Sequence, residues 1–202
     1  MSEENTQPEN DAAEATPVTE PLPPVTKLLM ETFGDNVLGH SNRLGEETVS
    51  IARKDMLTLM RFLKEDPRCA FNMMVDLTAV DLQPATPRFE VVYHFKSIGR
   101  GQRLRVKVPV AEDTAEAAGV DSIRGLWIAA DWYEREAREM YGIHFAGHPD
   151  LRPLLLYDGF EGYPLRKDYD KGRAQPLVPL RPIRERYDYG EHFHPVQQPI
   201  EN

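Results

Sequence analysis

Glu134, Glu136, His144, His148 and Asp150 lie close together in the stretch DWYEREAREMYGIHFAGHPD, and these residue types move protons and bind metals. Two carboxylates can serve as general acid and base. A His-x3-His pair with an acid can ligate zinc when both imidazoles share a helix face. Here Gly142 should stop the helix, and Phe145, Ala146 and Gly147 separate the two histidines outside any helical period. His148 is therefore expected to bond backbone within a turn, with Pro149-Asp150 redirecting the chain. Nucleophile patterns are weak. Cys69 has apolar neighbours, a setting that raises a thiol pKa when buried. Ser2, Ser41, Ser50, Ser97 and Ser122 lack a Gly-x-Ser-x-Gly context, and Gly99-Arg100-Gly101-Gln102 lacks the spacing of a phosphate-binding loop.

The helix carrying the carboxylates can be read at 100° per residue. Trp132, Tyr133, Ala137, Met140 and Tyr141 share one broad side, and Glu134, Arg135, Arg138 and Glu139 share the other. That arrangement predicts two exposed i,i+4 pairs, Glu134–Arg138 and Arg135–Glu139. Glu136 projects between Trp132 and Met140 and should be buried. A buried carboxylate needs a cation or several donors, and Arg152, Arg166 and Lys167 are the candidates. Glu136 then anchors the following loop. Proton handling and partner contact are the alternatives.

Several elements must position this segment. Val25, Leu28, Leu29 and Phe33 predict a helix opening at Pro23-Pro24 and ending at Gly34. Val49 and Ile51 mark a strand over 47–53. Asp55 is expected to cap a helix whose apolar face is Met56, Leu59, Met60 and Leu63, stopped at Asp66-Pro67. Cys69–Asp81 fits helix or strand and is taken as partly helical, ending extended. The strongest pattern is a hairpin. Phe89, Val91, Tyr93 and Phe95 alternate before the Gly-rich turn, and Leu104, Val106, Val108 and Val110 alternate after it. Arg103, Arg105 and Lys107 lie on its outer face, which is expected to be solvated or to meet an acidic surface. Short helical turns are expected over 113–125, and little regular structure after Gly142.

Charge and composition bound the function. The formal net charge is -9, but residues 1–26 hold Glu3, Glu4, Glu9, Asp11, Glu14 and Glu20 and no Lys or Arg. The remainder is nearly balanced, which argues against a general nucleic-acid binder. One cysteine allows neither an intrachain disulfide nor a Cys-rich cluster site from this chain alone. No signal peptide and no run of about 18 apolar residues is evident, so any membrane association is expected to be indirect. Residues 1–22 read as a disordered acidic tail and 23–170 as one domain. Residues 171–202 read as an extended Pro-rich arm, whose Leu180, Ile183, Tyr187, Tyr189 and Phe193 suit a partner's surface. Arg with aromatics after the helix (Arg152, Tyr157, Phe160, Tyr163, Arg166, Tyr169) is an interface composition.

A resemblance sharpens this reading. Glu134-Arg135-Glu136, Met140-Tyr141-Gly142-Ile143, Phe145, Gly147–Arg152 and Gly162–Tyr169 (GYPLRKDY) occur in order, with Asp76–Asp81 and the Trp127/Trp132 region upstream. Together they resemble the 30 kDa subunit family of respiratory complex I, known in bacteria as the C-type subunit of NADH-quinone oxidoreductase. The likeness covers about residues 25–170. Arg138, Glu139, Pro153 and Gly162-Tyr163 depart from the family's common pattern. The resemblance implies an α/β (α+β) fold, with helices packed on a mixed sheet in two layers, and an irregular C-terminal arm. It implies a peripheral-arm subunit on the cytoplasmic side of the cell inner membrane that binds no cofactor, with FMN and iron–sulfur clusters in partner subunits. Its partners would be a quinone-site subunit related to hydrogenase large subunits and iron–sulfur subunits. NADH and quinone would be substrates of the complex, and the isolated chain would have no activity. No catalytic or metal residue is implied. Glu134, Arg135, Glu136, His148, Arg152, Arg166, Lys167 and Asp168 are the structural or interface candidates. An equivalent subunit of a hydrogenase-type complex, or a stand-alone hydrolase using Glu136, His144 and His148, are the alternatives.

Overall fold

A computed structural model of the chain describes residues 24–178. Expectations for the acidic tail (1–22), and for the arm from residue 179 onward, lie outside the described residues.

Helix α1 (Pro24–Phe33) leads through a short 3-10 turn into strand β1 (Val37–Arg43), and a two-residue turn joins it to β2 (Glu46–Ile51). Leu44 and Gly45 both have positive φ, 56° and 82°. A two-residue hairpin turn of this hand needs that geometry to follow the strands' twist. After α2 (Met56–Glu65) come β3 (Met73–Asp81), β4 (Phe89–Ser97) and β5 (Gln102–Val110). The sheet order is β1-β2-β5-β4-β3. β2 and β5 pair in parallel, Val49 opposite Val106, while every other neighbouring pair is antiparallel. The result is an α+β fold on a mixed five-stranded sheet.

Period-two alternation decides which face is buried. Phe89, Val91, Tyr93 and Phe95 of β4 and Leu104, Val106, Val108 and Val110 of β5 point into the core. There they meet Leu29 of α1 and Leu59, Met60 and Leu63 of α2. The opposite face carries Glu90, His94 and Lys96 of β4 and Arg103, Arg105 and Lys107 of β5. The carboxylates on that face are engaged: Arg105 bridges to Glu46 at 3.2 Å and Lys107 to Glu90 at 2.7 Å.

The second half adds α3 (Glu112–Ala117), a small parallel pair β6 (Val120–Asp121) and β7 (Phe145–Ala146), and α4 (Ala130–Tyr141) between them. β6 can lie beside β7 because Gly119 has φ +54° and runs against the His144 backbone, with no room for a Cβ. α4 packs along β3 and ends at Gly142 in the left-handed region.

Three local expectations need correction. Residues 73–81 form a strand with no helical part, interrupted by a bulge between Met74 and Asp76 that hides the alternation. Asp55 makes no capping hydrogen bond, and its buried Oδ2 has no hydrogen-bond partner among the described residues, only the Lys54 ammonium at 4.0 Å. Residues 171–176 do not leave the domain. Tyr157 Oη donates to Pro176 O at 3.0 Å, Gln175 Nε2 donates to Tyr169 Oη at 2.7 Å, and Arg173 pairs with Glu161.

Candidate functional site

α4 is the hub from which the loop of residues 142–176 is held. Its buried stripe is Ala130, Glu134, Ala137 and Glu139, while Trp132 is 58% exposed and Glu136 is exposed. The helical wheel is thus corrected: two small residues and two carboxylates face inward. Alanines at positions 130 and 137 suit the close packing along β3, which leaves the large Trp132 ring outside. Glu136 has no partner among the described residues. Its three candidate cations are engaged elsewhere: Arg152 with Asp150, Arg166 with Glu116, and the Lys167 Nζ with Gln83 O.

Neither expected i,i+4 ion pair forms. Each of the four charged side chains binds a group elsewhere in the chain. Arg135 donates to the carbonyls of Arg152 and Pro153, at 3.0 and 3.1 Å. Arg138 donates to Leu151 O at 3.2 Å. Glu139 accepts the N–H groups of Leu154, Leu155 and Leu156, at 2.8, 2.8 and 3.2 Å. Glu139 therefore takes the loop-anchoring part that the wheel gave to Glu136.

Glu134 is fully buried and accepts from Ser122 Oγ at 2.6 Å and Ile123 N at 2.8 Å. Desolvation outweighs these bonds and pushes its carboxyl up to about 7. The buried imidazole of His148 lies against it, with Nε2 3.9 Å from Glu134 and 3.2 Å from Asp131. His148 Nδ1 accepts Asp150 N–H at 3.1 Å, so the histidine does close a local turn. The Tyr93 hydroxyl is also buried nearby, without a hydrogen-bond partner among the described residues.

The GYPLRKDY loop is locked at a second place. Arg88, 7% exposed, donates through Nε and Nη2 to both oxygens of Asp81 at 3.2 and 2.9 Å, through Nη2 to Asp168 at 2.7 Å, and through Nη1 to Glu112. Lys167 N–H adds a bond to Asp81 at 2.9 Å. Burial alone would raise the Asp81 carboxyl. The Arg88 guanidinium and the N–H groups of Lys167 and Gln83 outweigh it and hold the group far below the usual carboxylate range. Arg166 ties the loop to α4 and α3, donating to Tyr141 O at 2.6 Å and to Glu116 at 2.8 Å. Its guanidinium stacks on Tyr163, 4.3 Å from the ring centroid, and on Phe89. Gly142 permits this approach, since a Cβ there would lie 2.5 Å from both Arg166 and Tyr163.

The structure thus brings Arg166, Lys167 and Asp168 together at the Asp81–Arg88 cluster. Glu134 and His148 meet at the other end of α4, Arg135 holds the loop between, and Arg152 stands on its rim. Residue-level reasoning missed Arg88, Glu112 and Glu116. A lone arginine directly before an apolar strand was the available signal for Arg88. No group of three or more His, Cys, Asp or Glu among the described residues is placed to hold a metal ion.

These features define a class first: a small α+β domain whose charged side chains immobilise a long irregular loop. Residues 49–175 match the sequence model of the family described as respiratory-chain NADH dehydrogenase, 30 Kd subunit, and the chain belongs to that family. The C-type subunit of NADH-quinone oxidoreductase from Sinorhizobium medicae is 41% identical over 184 residues, covering 91% of this chain and 85% of the relative. A C-type subunit of the same oxidoreductase from Rhizobium etli is 39% identical over 172 residues, 85% of each chain. Among solved structures, a chain of the membrane-bound sulfane sulfur reductase, an archaeal respiratory membrane complex, shares the fold. Its TM-score is 0.62 at 24% identity, covering 86% of this chain and 95% of that one. The family expectation from the sequence holds, and with it the α+β fold. No helix among the described residues is long and apolar enough to cross a membrane.

Proposed function

We propose that this chain is a peripheral-arm subunit of a proton-translocating NADH:quinone oxidoreductase, without a redox centre of its own, that fixes the quinone-reducing module in place. Electrons would pass from NADH through FMN and iron–sulfur clusters in partner subunits to quinone. The neighbours would be the quinone-site subunit related to hydrogenase large subunits and the iron–sulfur subunits. The complex would hold the chain at the cytoplasmic face of the cell inner membrane. In this reading residues 24–176 are the assembly domain, the Pro-rich residues after it lie along a partner, and the isolated chain turns over no substrate.

One observation carries the reading. Charged groups that could do chemistry are turned inward to hold backbone, while large apolar groups are left outside on the same elements. Ile128 is 79% exposed, Trp132 58%, Leu155 64% and Leu165 52%. The exposed Trp132 ring with the Arg135 guanidinium over it, beside these exposed aliphatic groups, pairs the two residue types enriched at interface hot spots. The test is Trp132→Asp. The isolated chain should melt within a few degrees of the wild type, and membranes complemented with the variant should lose assembled complex and NADH-quinone activity. Normal assembly with this variant would overturn the assignment of that face.

A further inference from the structure

The β4–β5 hairpin end carries a run of cations. Residues 96–107 (KSIGRGQRLRVK) hold Lys96, Arg100, Arg103, Arg105 and Lys107 and no acid. Lys96 and Arg103 are register partners across the hairpin, on the sheet face away from the helices. Beside them lies a groove of about 300 Å³ lined by Met73, Val75, His94, Lys96, Arg103 and Arg105. Glu46 and Glu47 also line it. Glu46 is shared between Arg105 and Arg103, at 3.2 and 3.7 Å. Glu47 is buried and bonded by Thr26 Oγ1 at 2.9 Å. Burial raises its carboxyl pKa, against the lowering effect of the Thr26 bonds. Among the described residues Lys96 and Arg100 are in no ion pair, although Arg100 donates to the Pro67 carbonyl at 3.0 Å.

The start of α1 stands at this same end of the sheet. Thr26 reaches Glu47, and Val25, Lys27, Leu28 and Glu31 line a second groove with Arg68, Arg100 and Gln102. The chain ahead of Pro24 holds six acids and no Lys or Arg. Glu20 is four residues from Pro24, at most about 14 Å of extended chain. Glu14 is ten residues from Pro24, at most about 36 Å of extended chain. A tethered segment meets its site at an effective concentration near millimolar, so weak multivalent ion pairing suffices.

We propose that the acidic N-terminal segment, residues 1–23, docks on the basic β4–β5 hairpin end of its own domain, its carboxylates pairing with Lys96, Arg100 and Arg103 along the groove. The contact is electrostatic, and an acidic surface on another protein would have to displace it to reach the same face.

Amide NMR of the full-length chain tests this with two variants. One neutralises the segment: Glu3→Gln, Glu4→Gln, Glu9→Gln, Asp11→Asn, Glu14→Gln and Glu20→Gln. The other reverses two exposed cations, Arg100→Glu and Arg103→Glu. Neutralisation should shift the amides of residues 94–105, and charge reversal should shift those of residues 3–20. Both sets of shifts should vanish in about 1 M salt, where the screening length falls to about 3 Å. Shifts that grow with protein concentration would assign the contact to a second copy and overturn the intramolecular reading. Unchanged hairpin amides on neutralisation, with the Arg100/Arg103 variant failing instead to enter the complex, would assign the face to a partner's acidic surface and also overturn it.

Discussion

Asp81 and Glu134 are both buried carboxylates, but their surroundings drive them in opposite directions. Asp81 meets the guanidinium of Arg88 and the N–H groups of Lys167 and Gln83, and stays ionised well below the usual carboxylate range. Glu134 meets one hydroxyl, one N–H, a neighbouring aspartate and a histidine, and desolvation pushes it up to about 7. Burial is common to both sites, so the difference lies in whether a fixed cation accompanies the acid. The Asp81 cluster is therefore a lock that works when charged, and the Glu134 pocket is a site that resists charge.

The largest test of this contrast is Arg88→Ala. It leaves Asp81 buried beside Asp168 and Glu112 without their cation, and should reduce unfolding free energy by about 3–5 kcal/mol. The loop should also become open to trypsin at Arg166 and Lys167. Urea titration and timed proteolysis read both effects. A loss under about 1 kcal/mol would mean that the cluster does not hold the loop.

The second test is the pH dependence of the Glu134 pocket. Folded Glu134 keeps its proton up to about 7, whereas the unfolded chain releases it near the reference value of 4.5. The folded state therefore binds more protons between these values, and stability falls as pH rises through that window, by about 3 kcal/mol at most. Glu134→Gln should flatten that slope. Asp81 has the opposite sign: its stabilisation is present above its unfolded value of 3.8 and is lost as pH falls from there through its folded value. Melting curves of wild type and Glu134→Gln between pH 4.5 and 8 decide the matter. An unchanged slope would place the titration elsewhere.

The smallest test compares two neighbours on α4. Glu139→Ala strands three loop N–H groups and should cost about 2 kcal/mol. Glu136→Ala removes an exposed side chain and should change stability by under about 0.5 kcal/mol. Equal melting temperatures for the two variants would contradict the orientation of the helix.

What could be read in the sequence was what obeyed a simple period. The hairpin over 89–110 and the apolar face of α2 were legible because large apolar residues recur there at periods 2 and 3.6. β3 was hidden by its bulge, and β1 by a run of polar residues (VLGHSNR) at the sheet edge, which has little apolar face to show. α4 misled because its inner stripe is Ala and Glu. A wheel that sorts residues by hydrophobicity places Trp132 inside and Glu134 outside, the reverse of the packing. The order of motifs pointed to the family. The partners of those motifs, Arg88 above all, depended on contacts across the whole chain.

The bond from Lys167 N–H to Asp81 spans 86 residues of sequence. Closing a loop of that length in an unordered chain costs about 4 kcal/mol from the length term alone, more than one such bond returns. The signature loop is therefore expected to dock late, once the sheet has brought β3 and the start of β4 into place. In pulse-labelled hydrogen exchange during refolding, the Lys167 amide should gain protection after those of β4 and β5. The loop then acts as an indicator of completion: a nascent or damaged domain does not display it in its final shape, so under the proposed function assembly would select chains that have finished folding.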